Sequence, residues 1–379
     1  MAAASRAPRV LLVHYWLVGM RGGEKVLEAL CRMFPEADIL THVVDREHLS
    51  PLLKQHRILT TSINRLPWSK RLYQTYLPFM PQALEACDLT GYDLVISSES
   101  GPAKGVIVPP DTPHICYCHS PMRYIWDQYH AYKSSAGLLA GIAMPYIAHR
   151  LRQWDVTSAA RVDHFVANSN HVANRVRKYW RRDASVIHPP VDIAAFSAVE
   201  PQQRGDYYLW LGELAPYKRP DVAIDAFRQS GRKLKVVGGP GKAISHLQKS
   251  AGPMIEFLGK TDFDTLRHHL ARCKALIFPG EEDFGIVPVE ALASGRPVIG
   301  FNRGGVRDTV TDGRTGILYD DPSAAGLNAA IDRFETSGLD ICDTAVFTDA
   351  AANFSEARFI EEMWSAVRSQ SLPHGADWQ

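Results

Sequence analysis

Leu276-Ile277-Phe278-Pro279-Gly280-Glu281-Glu282-Asp283-Phe284-Gly285-Ile286-Val287-Pro288-Val289-Glu290-Ala291-Leu292-Ala293-Ser294-Gly295, with the Pro297-Val298-Ile299 that follows, decides the fold. An apolar run closes on Pro-Gly, an acidic turn follows, a segment with Pro near its start and Gly at its end reads as a helix, and a second apolar run reads as a strand. Such a βαβ unit sets the turn at the carboxyl edge of a parallel sheet, where open α/β sheets bind ligands. Glu282 on the turn and Glu290 about two turns into the helical segment can face one crevice, and the free N–H groups at the helix start can take an anion. A carboxylate accepts hydrogen bonds from neighbouring hydroxyls while the helix end takes a diphosphate, so the arrangement suits a sugar nucleotide. The same two acids also read as ordinary surface groups at a helix start.

Working outward, the alternation of short apolar runs and helical segments continues in both directions. Towards the amino end the strands are Val10 to Val13, Ile39 to Val44, Leu94 to Ser97, Gly105 to Val108, His114 to Cys118 and Phe165 to Ser169, with a helix from His171 to about Tyr179. Val186 to Asp192, with Pro189-Pro190, and the polar stretch Glu200 to Asp206 read as a hinge, because tandem prolines bar a helix and polar residues bar a core. A second alternation then runs through Tyr207 to Gly212, a helix from Asp221 to Gln229, Leu234 to Gly238, Ile255 to Gly259 and a helix from Thr265 to Arg272. The prediction is an α/β chain of two doubly wound parallel-sheet domains, residues 1–190 and 205–350. A last helix, near Ser355 to Arg368 within 351–379, puts Phe359, Met363, Trp364 and Val367 on one face.

With 379 residues the chain has room for two cores, and a formal charge of +1 gives no global pull towards nucleic acid or membrane. Six cysteines in this length do not suggest a disulfide framework, which fits a reducing cytoplasm. Val10 to Val13 is too brief for a signal-peptide core, and the weakly polar stretch Ala136 to Ala148, broken by Pro145, is too short for a membrane span.

Glu282-x7-Glu290 with Phe284-Gly285 and Glu290-Ala291 resembles the signature of the retaining glycosyltransferases of family 4, of the GT-B fold, and the likeness extends over nearly the whole chain. The resemblance implies two Rossmann-like domains facing across a cleft, the first for the acceptor and the second for a nucleotide-diphospho-sugar donor, with the last helix returning to the first domain. It also implies that Glu290 binds the ribose and Glu282 the donor sugar's hydroxyls.

Lys218, in Glu213-Leu214-Ala215-Pro216-Tyr217-Lys218-Arg219, follows a strand at a carboxyl edge, where a cation can neutralise a departing diphosphate. The family has Lys in this place, but usually an Arg where this chain has Glu213, so Arg219 or Arg303 is expected to supply the missing charge. Gly22-Gly23 stands between a strand and a helix, as a phosphate turn does, and resembles the family's Gly-Gly loop near the donor phosphates. Gly238-Gly239-Pro240-Gly241 fails the three-glycine spacing of a dinucleotide fingerprint, and the resemblance places Gly239 near the nucleotide base; Gly304-Gly305 is a candidate for phosphate or sugar contact, with a plain turn as the alternative. His119 ends a strand, and an imidazole there could bond the donor sugar and place the acceptor hydroxyl, with its proton titrating near working pH. Arg123, Tyr124, Trp126 and Asp127 after it could stack on and bond a sugar acceptor.

Cys116-x-Cys118-His119 has the wrong spacing for zinc, and strand alternation sends both thiols to one buried face. Asp262-x-Asp264 reads as an N-cap cluster, so neither a metal nor a resident cofactor is expected. Arg65, Trp68, Lys70, Arg71, Tyr73, Tyr76 and Phe79 mix cations and rings as a surface for anionic lipid does, or form a solvated helix with its aromatics inward.

The expected activity is therefore retaining hexosyl transfer, with GDP-mannose as first donor, to a glycan or polyprenyl-linked acceptor in cell-surface polysaccharide synthesis. The expected location is cytoplasmic, peripheral on the inner face of the membrane. The alternatives are a sugar-nucleotide 2-epimerase of the same architecture and a non-catalytic sugar-nucleotide-binding protein.

Overall fold

The computed structural model describes residues 7–135, 137–239, 247–248 and 251–370, and the chain forms two compact units. The first runs to Pro190 and takes back the chain from Phe359; the second is Val191–Arg358. The changeover falls at the tandem prolines. The second unit starts earlier than position 205 because Val191 and Phe196 lie in its core, and it keeps Ala351 and Phe354 as well.

The first unit is built on a parallel sheet of β1 (Val10–His14), β2 (Asp38–Thr41), β3 (Ile58–Thr60), β4 (Leu94–Glu99), β5 (His114–Cys118), β6 (His164–Ala167) and β7 (Ser185–Val186), in the order β3-β2-β1-β4-β5-β6-β7. The central strands are buried along their whole length, which is why Val10 to Val13 and Leu94 to Ile96 read as apolar runs rather than alternating ones. Cys116 and Cys118 lie together in one buried cluster with Phe165 and Trp180, as strand alternation requires. Phe359, Met363 and Val367, one face of the helix Glu356–Arg368, complete the core over β1, β4 and β5, with Trp364 against Phe34.

Gly105 to Val108 is a loop and not the expected strand. Glu99 Oε2 accepts the backbone N–H groups of Ala103 and Lys104 at 2.8 and 2.7 Å, satisfying donors that a sheet ladder would otherwise take. Gly105 also lies under Trp154, so close that a Cβ would fall 2.0 Å from the indole.

The second unit holds β8 (Tyr208–Leu211), β9 (Leu234–Val237), β10 (Ile255–Gly259), β11 (Leu276–Phe278), β12 (Val298–Phe301) and β13 (Gly316–Tyr319), ordered β10-β9-β8-β11-β12-β13 and parallel throughout. The acidic turn after β11 leads into the helix Ile286–Ala293, which starts from Gly285 in the left-handed region at φ 83°. The chain reverses its direction of sheet growth between β1 and β4 in one unit and between β8 and β11 in the other. Those are the two places where a ligand crevice opens at the carboxyl edge. Among the described residues no helix is long and apolar enough to cross a membrane.

Candidate functional site

The turns leaving β8, β11 and β12 meet at the carboxyl edge of the second sheet. Lys218 ends the short helical turn Pro216–Lys218 after β8, and Glu282 lies on the turn after β11, the neighbouring strand. Their side chains meet, Lys218 Nζ to Glu282 Oε1, at 2.8 Å. Burial works against the ammonium, but the Glu282 carboxylate outweighs it and holds Lys218 above the ordinary lysine range.

Glycines make this approach possible. A Cβ on Gly280 would fall 2.7 Å from Lys218 Cα and 2.8 Å from the Tyr217 carbonyl, and one on Gly304 would fall 2.3 Å from the Glu282 carbonyl. Gly305 N–H donates to that same carbonyl at 2.9 Å. Gly304-Gly305 therefore shapes the Glu282 turn from behind, a role that needs no ligand to explain it. Gly238 lies against the Gly212 carbonyl, where a Cβ would fall 2.1 Å away, whereas Gly239 meets nothing within 4 Å among the described residues. Pro240 and Gly241 of that loop lie outside the described residues.

Glu290, in the second turn of the helix, is partly buried, and burial pushes its carboxyl up to about 7 although Lys218 pulls it down. It is less a surface acid than its place in the sequence suggests. Phe284 is core: its ring packs on Phe354 and is 4 % exposed, so it supports the turn rather than a ligand. Arg219 has a left-handed backbone at φ 51° and gives its Nε to both oxygens of Asp221 at 3.2 and 3.1 Å. Arg303 and Glu213 are exposed.

In the first unit, Gly22 and Gly23 open the helix Gly22–Met33. Gly23 is needed by packing, since a Cβ there would fall 2.4 Å from the Tyr15 hydroxyl. His119 sits just past β5, half-buried, with Nε2 2.7 Å from Ser98 Oγ and its ring edge-on to Tyr117. Burial pushes its pKa down to about 3, so the expectation of titration near working pH fails.

The four residues assigned to an acceptor are largely engaged within the unit. Trp126 Nε1 donates to Asp155 Oδ2 at 2.7 Å and its ring stacks on Tyr179, while Asp127 pairs with Arg175. The Tyr124 hydroxyl is buried without a hydrogen-bond partner among the described residues, and the Arg123 carbonyl accepts from Gln128 N–H at 2.9 Å. Asp262 caps the helix Phe263–Arg272 through Thr265 N–H, the cap role expected of it. Sequence reasoning passed over His14, Glu24 and Ser98, which lie beside His119. The available signal was positional: His14 ends β1, Ser98 stands next to the last residue of β4, and Glu24 lies in the first turn of the helix after β1.

Residues 194–351 match the family Glycosyl transferases group 1, and residues 20–195 match Glycosyltransferase Family 4. The chain is 30% identical over 163 residues to an uncharacterized glycosyltransferase of Methanocaldococcus jannaschii, covering 41% of this chain and 45% of the relative. It is 29% identical over 252 residues to a D-inositol 3-phosphate glycosyltransferase of Nocardioides sp., covering 55% and 52%. The chain thus spans about half the length of the relatives it matches. Among solved structures, sucrose-phosphate synthase from Thermosynechococcus elongatus superposes with a TM-score of 0.71 at 17% identity over 95% of this chain and 98% of that one. Anabaena HepE in complex with UDP and glucose gives 0.68 at 17% identity over 96% and 100%. With two parallel-sheet units, each half matched by its own family and the fold shared with solved neighbours, the chain belongs to the group 1, family 4 glycosyltransferases of the GT-B fold.

Proposed function

We propose that the chain moves a hexosyl group from a nucleotide-diphospho-sugar to a hydroxyl of a glycan or polyprenyl-linked acceptor, with retention at the anomeric carbon and without a metal. The observation that carries this reading is the meeting of Lys218 and Glu282, on the turns after the adjacent strands β8 and β11, at the reversal of the sheet, with Glu290 and a helix start beside them. Lys218 faces the diphosphate and steadies the charge that grows on it as the glycosidic bond breaks. Binding exchanges the Lys218–Glu282 pair for a Lys218–phosphate contact, which frees the Glu282 carboxylate for the hydroxyls of the donor sugar. Glu290 accepts from the ribose.

Arg219 is held by Asp221, so Arg303, exposed beside Gly304, supplies the second cation that Glu213 does not. GDP-mannose is the first donor to test on the sequence resemblance. The neighbours solved with UDP and with UDP-glucose make UDP-hexoses the second. Isothermal calorimetry and a transfer assay with both donor classes test the reading. Lys218→Ala is expected to lower turnover by about 10²–10³, as for removal of one group that stabilises transition-state charge. A chain that binds none of these donors overturns the reading, and conversion of the donor without any acceptor replaces it with epimerisation.

The acceptor side includes a membrane contact in this proposal. Trp68 is 78% and Phe79 58% exposed, with Arg65, Lys70 and Arg71 exposed around them, while Tyr73 packs on Trp16 and the Tyr76 hydroxyl donates to the Pro67 carbonyl. The segment thus divides its rings, half inward and half out. Each surface cation is worth roughly 1 kcal/mol near an anionic leaflet, screened by salt. Flotation with anionic liposomes is expected in the parent and lost when Arg65, Lys70 and Arg71 are all changed to Glu; flotation indifferent to lipid charge and salt defeats this contact.

A further inference from the structure

Neighbouring strands of the first sheet end on a line of polar side chains that leads to His119. His14 ends β1, Ser98 lies opposite it on β4, and His119 follows β5. Ser98 Oγ is 3.1 Å from His14 Nδ1 and 2.7 Å from His119 Nε2. Among the described residues His14 Nε2 has no hydrogen-bond partner, and it lies 3.8 Å from Glu24 Oε1, while Glu24 Oε2 accepts the Arg21 backbone N–H at 2.9 Å. His14 and Ser98 are each 1% exposed and Glu24 3%, so a glutamate, an imidazole and a hydroxyl meet where water does not compete, with the half-buried His119 at the end of the line.

A serine hydroxyl has one proton to donate, and it cannot serve both rings; one imidazole must donate to it instead. The chain therefore has a direction, and the direction decides which nitrogen of His119 carries the proton. Glu24 breaks the tie. A carboxylate only accepts, so it favours the proton of His14 on Nε2, the nitrogen that faces it. With that proton on Nε2 and Nδ1 left bare, His14 Nδ1 accepts from Ser98 O–H, and Ser98 Oγ accepts from His119 Nε2–H. The remaining nitrogen of His119, Nδ1, keeps a bare lone pair and has no hydrogen bond among the described residues.

We propose that Glu24, acting through His14 and Ser98, holds His119 as the Nε2–H tautomer and so presents its Nδ1 as an acceptor for a sugar hydroxyl. Glu24, His14 and Ser98 are positioning residues, and His119 alone touches the substrate. The nature of the hydroxyl rests on the sugar-transfer reading; the tautomer does not. The other charged and titratable groups around the chain are Arg21 at the start of the helix Gly22–Met33, Tyr15 with its ring tilted against His14 and Tyr73 behind it, and Tyr117 edge-on to His119. Burial keeps the His119 ring neutral throughout the working range, in line with a fixed acceptor rather than a proton shuttle.

Glu24→Gln tests the direction. The amide oxygen can keep the Arg21 cap, which turns the NH2 towards His14 Nε2; His14 then accepts there, donates from Nδ1, and the whole chain reverses. Two-bond 15N–1H imidazole spectra of the full-length protein, assigned with His119→Gln, are expected to show Nε2–H on His119 in the parent and Nδ1–H in Glu24→Gln. Ser98→Ala, which cuts the chain without touching the helix cap, is expected to abolish the single tautomer. In the transfer assay Glu24→Gln should lower kcat by about ten- to a hundredfold, the worth of one hydrogen bond lost to a reversed donor, with nucleotide affinity unchanged. An Nδ1–H or doubly protonated His119 in the parent overturns the proposal, as does a charged His14. Folded Glu24→Gln and Ser98→Ala proteins that both keep the parent tautomer overturn it too. A tautomer that switches in a protein that turns over no nucleotide sugar upholds the hydrogen-bond chain and overturns the sugar-transfer reading instead.

Discussion

Glu290 carries its charge at a cost, and the sign of that cost can be measured. Its carboxyl titrates at about 7 in the folded chain because burial disfavours the anion more than Lys218 favours it. An unfolded glutamate titrates at about 4.3. Between those values the folded state holds the extra proton, so stability is full below the unfolded value and falls as pH rises through 7. Glu290→Gln is expected to gain about 1–3 kcal/mol over the parent at pH 8 and nothing at pH 4, read from urea melts. On the proposed reading the ribose needs the anion, so nucleoside diphosphate affinity weakens by up to about tenfold per pH unit below 7, with proton uptake or release visible by calorimetry in buffers of different ionisation heat. Affinity flat from pH 5 to 8 would remove the ribose from Glu290. The spacing of Glu282 and Glu290 was legible in the sequence, but the burial that raises one of them was not, because it comes from packing of the surrounding turns.

At the scale of elements, the loop after β4 shows how a non-repeating segment is held. Lys104 Nζ lies 2.5 Å from Asp155 Oδ1 and 3.2 Å from Glu99 Oε1, with none of the three side chains exposed, and it sits 4.2 Å from the Trp180 ring centroid. Asp155 Oδ2 accepts from Trp126 and Trp180, both at 2.7 Å, so one carboxylate ties the loop, the segment after β5 and two helices together. Replacing Lys104 by Met leaves two carboxylates buried without their cation, at a cost of about 3–5 kcal/mol. Burial already holds Glu99 above its usual range. The deficit of Lys104→Met is therefore expected to be smallest in acid, where the carboxyls are neutral, and to grow as pH rises; thermal melts at pH 5 and pH 8 check it. A deficit independent of pH would mean that lost packing, not charge, is the cause. This same network explains why Trp126 is not free to stack on a sugar.

At the scale of the whole molecule, a segment almost at the end of the chain finishes a core begun at its start. Phe359 lies edge-on to Tyr117, and Met363 and Val367 join Leu12, Leu27 and Ile96 in the buried cluster of the first unit. Phe359→Ala is expected to destabilise that unit by about 3–5 kcal/mol. Hydrogen exchange should show β1, β4 and β5 losing protection while β8, β11 and β12 keep theirs. Equal loss in both sheets would show that the two units unfold as one.

What the sequence determined by itself is what depends on short-range pattern. Continuous apolar runs marked the central strands, since parallel strands are buried on both faces. Pro and Gly marked the ends of the helix Ile286–Ala293, and the acidic turn between Phe278 and Ile286 marked a ligand edge. Tertiary structure decided everything that needs two distant segments in contact. Edge strands such as β3, β7 and β13 are short, and neighbours rather than composition define them. Gly304 and Gly305 look like a phosphate loop in one dimension and prove to be the floor of the Glu282 turn. Arg219 is claimed by Asp221, Trp126 by Asp155 and Asp127 by Arg175, partners that no local spacing reveals. His119 lost its expected titration for the same reason: desolvation is a property of the enclosing fold, and His14, Ser98 and Glu24 reach it only once β1, β4 and β5 lie side by side.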